Sequence, residues 1–320
     1  MHACLLMLLT WSAVERGEVE FRPSSLETNV PERFRLTRET FSFEKRLIRE
    51  TPRYRVWNVT FPSPIPTNDQ TNDLVWGDYF EPIETLKPGQ KRPAVVVLHI
   101  LGADFALSRY LAARLADRGV AALFIRLPYY GERRSPGIST RFLSADIERS
   151  TTSMRQGICD VRRAATWLAS RSDIDPNRIG ATGISLGGIV ASVTAAIDPQ
   201  INRAATILAG GDLAEIMWNM PEPASRKAQA AFKAAGKTRT DLERLTKPFD
   251  PLTYADRLKS KHVLMIAGNA DEVIPPRCAQ ALWEAAGKPR IHWIDCGHYS
   301  SAGYLLPSVR ETVAFFADEP

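Results

Sequence analysis

Two uninterrupted apolar runs, PAVVVLHI at 93–100 and VAALFIRL at 120–127, constrain this chain more than any other feature. A strand with one wet face alternates polar and apolar residues. A run without alternation is buried on both faces, as in a parallel sheet covered by helices on each side. The neighbouring segments supply such helices. DFALSRYLAARLADRG spaces Phe105, Leu107, Leu111 and Leu115 helically before Gly119 stops it, and MRQGICDVRRAATWLASR gathers Ile158, Val161, Ala165 and Leu168 on one face. The alternation continues through the strand RIGATGI, a helix starting near Ser185, the strands AATILAG and HVLMIAG, the helix PRCAQALWEAAG, the strand RIHWIDC and a final helix LPSVRETVAFFA. This rhythm predicts an α/β fold with a mostly parallel, doubly wound sheet of about eight strands. Ligands of such sheets bind outside the carboxyl ends of the strands.

Residues 15–90 read differently. FRLTRETFSFEKRLI, YRVWNVTFPSP and LVWGDYFEP are short runs rich in aromatic and β-branched residues, broken by the polar, proline-rich loop SPIPTNDQTND. They predict an antiparallel edge of strands and turns. The expected division is an N-terminal extension at 1–74, packing on a main α/β domain at 75–320. Between AATILAG and HVLMIAG, residues 211–261 are helical in composition and follow the carboxyl end of a strand. An insertion at that place is expected to form a helical cap over the site.

The ends and the charge balance exclude several roles. ACLLMLL at 3–9, followed by TWSAV, is signal-like, yet no Lys or Arg precedes it and it is too short to span a bilayer. The cytoplasm is the expected compartment, export by an atypical leader is the alternative, and no stable membrane insertion is expected. Lys and Arg outnumber Asp and Glu by 41 to 36 without a basic block, and no nucleic-acid motif is present. Pairs such as Arg133-Arg134 and Lys91-Arg92 read as exposed loop charges. The four cysteines, Cys4, Cys159, Cys278 and Cys296, have no metal-ligand spacing. Nothing in the sequence fixes an oligomeric state.

The strand ends carry the chemistry. In IGATGISLGGIVAS, Ser185 lies between Gly183 and Gly187, after a strand and before a helix. That context makes G-x-S-x-G a nucleophile elbow, with the glycines giving the turn its room. A serine hydroxyl needs a base. Of five histidines, His2 is terminal, His99 ends a strand, His262 begins one and His292 lies inside one; only His298, in DCGHYSS, follows the last strand in a loop. Asp271, in the GNADEVIPP loop after the preceding strand, is expected to hold the imidazole, with adjacent Glu272 as the competing acid. The order Ser185, Asp271, His298 is that of an α/β-hydrolase triad. An oxyanion would be met by the backbone N–H of Leu186 and by one from the loop after PAVVVLH, with Leu101 preferred and Ile100 the alternative. His99 is then left a structural role, bonding loop backbone. Cys296, two residues before His298, could be read as a second nucleophile but is expected to be a core residue at a strand end.

Through LHILGAD, DPNRIGATGISLGG, GNADEVIPP and CGHYSS the chain resembles the α/β-hydrolase superfamily. DPNRIG and PLTYADRL are similar to the dienelactone hydrolase, acetyl xylan esterase and prolyl oligopeptidase-like branch. The resemblance implies a Ser-His-Asp mechanism, neither metal nor organic cofactor, and a small-molecule ester as substrate. It also implies that PYYGERRSPG lines a pocket, which makes Tyr129, Tyr130 and Arg133 candidate substrate contacts, while Trp218 with Met217 and Met220 would form an apolar cap wall. Two departures stand out. His99 is followed by Ile100 where many relatives have glycine, and dienelactone hydrolases carry cysteine where this chain has Ser185. The expected activity is carboxylic ester hydrolysis through an acyl-enzyme. The alternatives are a peptidase or amidase of the same fold, and a non-catalytic hydrolase-like binding protein. The peptidase relatives usually carry a β-propeller that the N-terminal section is too short to build.

Overall fold

The computed structural model describes residues 13–102, 105–137, 141–144 and 147–318. The signal-like stretch at 3–9 lies outside them. Among the described residues one sheet of ten strands organises the chain. Four N-terminal strands, β1 (Val14–Phe21), β2 (Glu39–Glu50), β3 (Tyr54–Pro62) and β4 (Leu74–Pro82), pair antiparallel in sequence order. The remaining strands are β5 (Arg92–Leu98), β6 (Ala121–Ile125), β7 (Ile174–Ile184), β8 (Ile201–Ile207), β9 (His262–Gly268) and β10 (Arg290–Ile294). They run parallel in the order β6-β5-β7-β8-β9-β10, and β4 joins β6 antiparallel. The sheet is wider than the expected eight strands because the N-terminal hairpins extend it by edge pairing.

The apolar runs behave as their pattern requires. Every residue of β5 and of β6 is buried. On one face lie α2 (Ile147–Ala169) and α3 (Leu186–Ile197), and on the other α1 (Ala106–Ala116) and α8 (Leu305–Ala317). α3 is buried on all sides, which suits its wholly small and apolar sequence after Ser185.

Several charges expected at the surface are inside. The side of α2 opposite its apolar face is covered by the N-terminal strands and their loops, so Asp160, Arg162 and Arg163 are buried, each with a partner. Arg162 bridges Glu27 and Asp198 at 2.7 Å each, and Arg163 pairs with Glu39. Arg133 and Arg92, read from the sequence as exposed, are buried as well: Arg133 Nη1 meets Asp160 Oδ2 at 2.7 Å, and Arg92 Nε meets Asp173 at 3.0 Å. Asp160 also accepts a 2.6 Å bond from Ser63 in the proline-rich loop. Burial pushes the Asp160 carboxyl above its ordinary range despite these partners.

The 211–261 insertion forms α4 (Leu213–Asn219), α5 (Pro223–Ala234) and α6 (Arg239–Thr246), which share a small core of Ala214, Phe232 and Leu242. Its last part, a 3-10 segment at Pro251–Ser260, packs on α3 and sends Tyr254, Ala255 and Leu258 into the main core. α7 (Pro276–Ala285) then leads to β10. Removing one partner of a buried pair leaves the other charge unpaired, at a cost of about 3–5 kcal/mol. Arg133→Met is therefore expected to lose about that much stability in urea unfolding; a loss near zero would show that the Asp160 network does not hold the fold.

Candidate functional site

Ser185 stands between β7 and α3 with φ 52° and ψ −116°, a conformation that L-residues with side chains rarely adopt. Its surroundings over-determine it. The Ser185 N–H donates to Ile207 O of β8 at 2.8 Å, and its carbonyl accepts from Ile189 N in the first turn of α3. A Cβ at Gly183 would lie 2.4 Å from the Gly187 carbonyl carbon, and one at Gly187 would lie 2.7 Å from Leu98 O and 2.8 Å from His99 O. The elbow thus presses directly on the carboxyl end of β5, and only glycine permits the approach. Leu186, the first residue of α3, offers a first-turn N–H without an intrahelical partner beside the serine.

The other two strand-end residues reach this point. His298 Nε2 lies 3.0 Å from Ser185 Oγ, and His298 Nδ1 lies 2.8 Å from Asp271 Oδ2. Asp271 is buried, and its Oδ1 accepts from Val273 N at 2.9 Å and Ile274 N at 2.7 Å, so its carboxylate is held by the turn that starts α7. Glu272, the competing acid, turns instead to the main chain, where its Oε2 accepts the His298 backbone N–H at 2.8 Å. Although burial pushes the Glu272 carboxyl up, backbone N–H groups of Glu272, His298 and Tyr299 bring it below its ordinary value. A Cβ at Gly297 would fall 2.4 Å from Glu272 Oε2, which explains the glycine before His298. Neighbouring acids therefore divide the work, one orienting the imidazole and one bracing its loop. Tyr299 packs edge-on against the His298 ring and donates its hydroxyl to Glu222 at the start of α5, tying the insertion to the histidine loop.

His99 has the structural role expected. It is fully buried; Nε2 accepts from Leu127 N at 3.0 Å, and Nδ1 bonds Ile100 O at 2.7 Å. Because a backbone N–H can only donate, Nε2 carries no proton and Nδ1 is the donor. Burial, with Arg126 and Arg133 nearby, lowers the His99 pKa to about 4 even though the Ile100 carbonyl opposes the shift. Leu101 is half-exposed on the same loop, and Gly102 N donates to Tyr130 OH at 3.5 Å.

The pocket candidates separate. Tyr130 packs on His99 with ring centroids 4.6 Å apart and faces this loop. Tyr129, with φ 64°, donates its backbone N–H to Asn72 and its side chain is directed to Thr67. Arg133 contradicts the expectation of a substrate contact, because its guanidinium is sealed among Asp160, Asn72 O and Arg126 O. Trp218 and Met217 pack on the insertion's own core, with Lys233 Nζ 4.5 Å from the Trp218 ring centre, while Met220 packs on the main core. Cys159, Cys278 and Cys296 are buried thiols whose pKa values burial raises, so Cys296 is the core residue expected. His292 pairs with Glu311 on the surface. Among the described residues no group of three His, Cys, Asp or Glu side chains gathers as a metal would need, and no helix is long and apolar enough to cross a membrane. Two surface clefts, at β1 and α2 and around Pro52 and Ile83, are lined by none of Ser185, Asp271 and His298.

A serine on a sharp turn between strand and helix, with a histidine and an aspartate from later strand ends, on a sheet of this order, defines an α/β-hydrolase fold. The chain belongs to the dienelactone hydrolase family, whose sequence profile matches residues 82–298. It is 27% identical over 221 residues to the uncharacterized protein Rv2627c of Mycobacterium tuberculosis, covering 67% of this chain and 51% of that one. The chain thus spans about half the length of that relative. Among solved structures it is similar to an acetyl xylan esterase from Paenibacillus sp. R4 (TM-score 0.70, 19% identity, 90% of each chain). It is also similar to a puromycin-hydrolyzing peptidase of Mycobacterium tuberculosis (TM-score 0.57, 17% identity, 86% of this chain and 45% of that one).

The buried neutral His99 makes stability pH-dependent. Its folded pKa, about 4, lies below the ordinary 6.5, so the unfolded chain binds the extra proton between those values. The contribution is complete above pH 6.5 and is lost as pH falls toward about 4, by roughly 3 kcal/mol. Urea unfolding of the wild type and His99→Gln at pH 7 and pH 4.5 is expected to show a steeper acid loss in the wild type; parallel losses would place the acid sensitivity elsewhere.

Proposed function

We propose that this chain is a serine hydrolase that cleaves carboxylic esters through an acyl-enzyme, with Ser185, His298 and Asp271 as its catalytic triad. One observation carries the reading: residues from three separate strand ends line up as Asp271 Oδ2, His298 Nδ1, His298 Nε2 and Ser185 Oγ at 2.8 and 3.0 Å. Ser185 Oγ attacks the ester carbonyl carbon as its proton passes to His298 Nε2. Asp271 stabilises the imidazolium and keeps its tautomer. The carbonyl oxygen becomes an oxyanion held by the N–H groups of Leu186 and Leu101. Collapse breaks the bond to the leaving alkoxide, which takes the proton from His298. Water then attacks the acyl-enzyme with His298 as base, releasing the acid and restoring Ser185.

Ester hydrolysis is favoured over amide cleavage because the likeness to the acetyl xylan esterase covers 90% of both chains, whereas that to the peptidase covers 45% of the peptidase. A binding protein without catalysis has no need of a carboxylate saturated by three bonds behind an imidazole. Ser185→Ala is expected to lower turnover of p-nitrophenyl acetate and butyrate on the order of a million-fold and to abolish labelling by a fluorophosphonate probe. Retention of both would sink the reading.

A further inference from the structure

We propose that Tyr299 is a substrate-contact residue whose ring receives the alcohol portion of the ester, and that Glu222 is the positioning residue that holds this ring. The inference rests on the serine-hydrolase reading above and goes further by assigning the surface that tells one alcohol from another. Proton transfer fixes which part of the substrate lies there. His298 Nε2, 3.0 Å from Ser185 Oγ, takes the serine proton and must hand it to the leaving oxygen, so the alcohol lies against the imidazole. The acyl group stays bonded to the serine. Ser185 keeps 8% of its surface open and the His298 side chain 12%, whereas Tyr299, the next residue, keeps 63%. Its ring centre is 5.7 Å from that of the imidazole, at an interplanar angle of 82°. An alcohol leaving past the imidazole therefore meets the open ring of Tyr299.

Glu222 sets what that ring can offer. The Tyr299 hydroxyl donates to Glu222 Oε1, so the polar end of the phenol is already engaged and the ring carbons remain for a ligand. The Glu222 bond, with burial and with Glu272 and Asp271 nearby, pushes the phenol up to about 12, so it stays neutral and keeps donating at neutral pH. Glu222 stands between Pro221 and Pro223 as the N-cap residue of α5, and its carbonyl accepts from Arg226 N at 2.9 Å, which leaves its backbone little freedom. The residues before it are pinned as well, since Gln229 Nε2 donates to Met217 O at 2.9 Å and to Met220 O at 3.2 Å. On the histidine loop, Ser300 Oγ accepts from Gly297 N and Ser301 Oγ donates to His298 O, each at 2.8 Å, fixing the turn that carries the ring. A neutral, flat, apolar surface held beside the proton donor favours a flat apolar alcohol, which stacks on it, and gives an alkyl alcohol little. The substrate class is thus an ester of an aryl alcohol.

Esters of a single acid isolate the alcohol, because every acetate gives the same acyl-enzyme. Tyr299→Ala is expected to lower kcat/KM about tenfold with phenyl and naphthyl acetate, to stay within about twofold with ethyl acetate, and to leave the ratio of p-nitrophenyl acetate to butyrate unchanged. Tyr299→Phe and Glu222→Ala each release the hydroxyl end of the ring. Each is expected to lose about threefold with the aryl acetates, and the double variant no more than either alone. A residue that merely braced His298 would slow ethyl acetate as much as phenyl acetate. Equal losses with aryl and alkyl acetates, unchanged aryl kcat/KM, a shifted acetate-to-butyrate ratio, or additive losses in the double variant would overturn the proposal. Melting temperature is followed in parallel. If Tyr299→Ala does not fold, Tyr299→Leu, which keeps bulk without a flat face, is held to the same expectation. Undiminished activity in Ser185→Ala would instead overturn the underlying reading, so the two failures are distinct.

Discussion

The whole site depends on one close approach, that of the Gly187 backbone to the carbonyls of Leu98 and His99. It sets the first turn of α3 against the end of β5, and so brings Ser185 beside the loop that follows β5. Ser185 is kept at positive φ by the same contact and by its bond to β8. Backbone strain of this kind costs of order 1–3 kcal/mol and persists only where the surroundings leave no alternative. Here the surroundings are the buried centre of the parallel sheet, with β5, β7 and β8 locked in register on either side. The buried centre of the sheet is what makes the hydroxyl's awkward geometry sustainable.

A second layer of order comes from the N-terminal section. Ser63 and Asn72 in the proline-rich loop engage Asp160, Gln156, Arg133 and the Tyr129 amide. Those contacts fix the loop after β6, which carries Tyr130 and Leu127, and these in turn touch His99 and Gly102. Charges on α2 that would be solvated in a bare α/β domain are thus the fastening between the antiparallel edge and the loop beside Ser185. Arg126 adds a further link, meeting Asp78 of β4 at 2.8 Å from the end of β6.

Much of this was legible in the residues. Apolar runs without alternation pointed to the parallel centre, and the meeting of Ser185, Asp271 and His298 followed from their positions at strand ends. Asp271 and Glu272 could be ranked but not assigned from sequence, since adjacent carboxylates differ only in where the turn sends them. Arg133 was misplaced because a doubled arginine in a loop looks like surface charge; its buried partner Asp160 is remote in sequence. The width of the sheet was underestimated for a related reason, since edge pairing of hairpins leaves no periodic signal linking them to the strands they join. His99 carried a signal, a histidine ending a buried strand, but its tautomer needed Leu127 as a neighbour. Trp218 and Met217 illustrate the opposite case, in which a stripe at helical spacing serves the insertion's own core.

Among the described residues the sheet ends at β1 on its N-terminal side and at β10 on the other. Along β1 Glu15 is paired with Lys45 and Arg171, Arg16 with Glu44, and Glu20 with Arg22 and Arg38. An eleventh strand laid on this border would have to run beside closely spaced, already paired charges, which disfavours stacking of copies edge to edge. Among the described residues, the extension that widens the sheet thus gives it a border lined with paired charge.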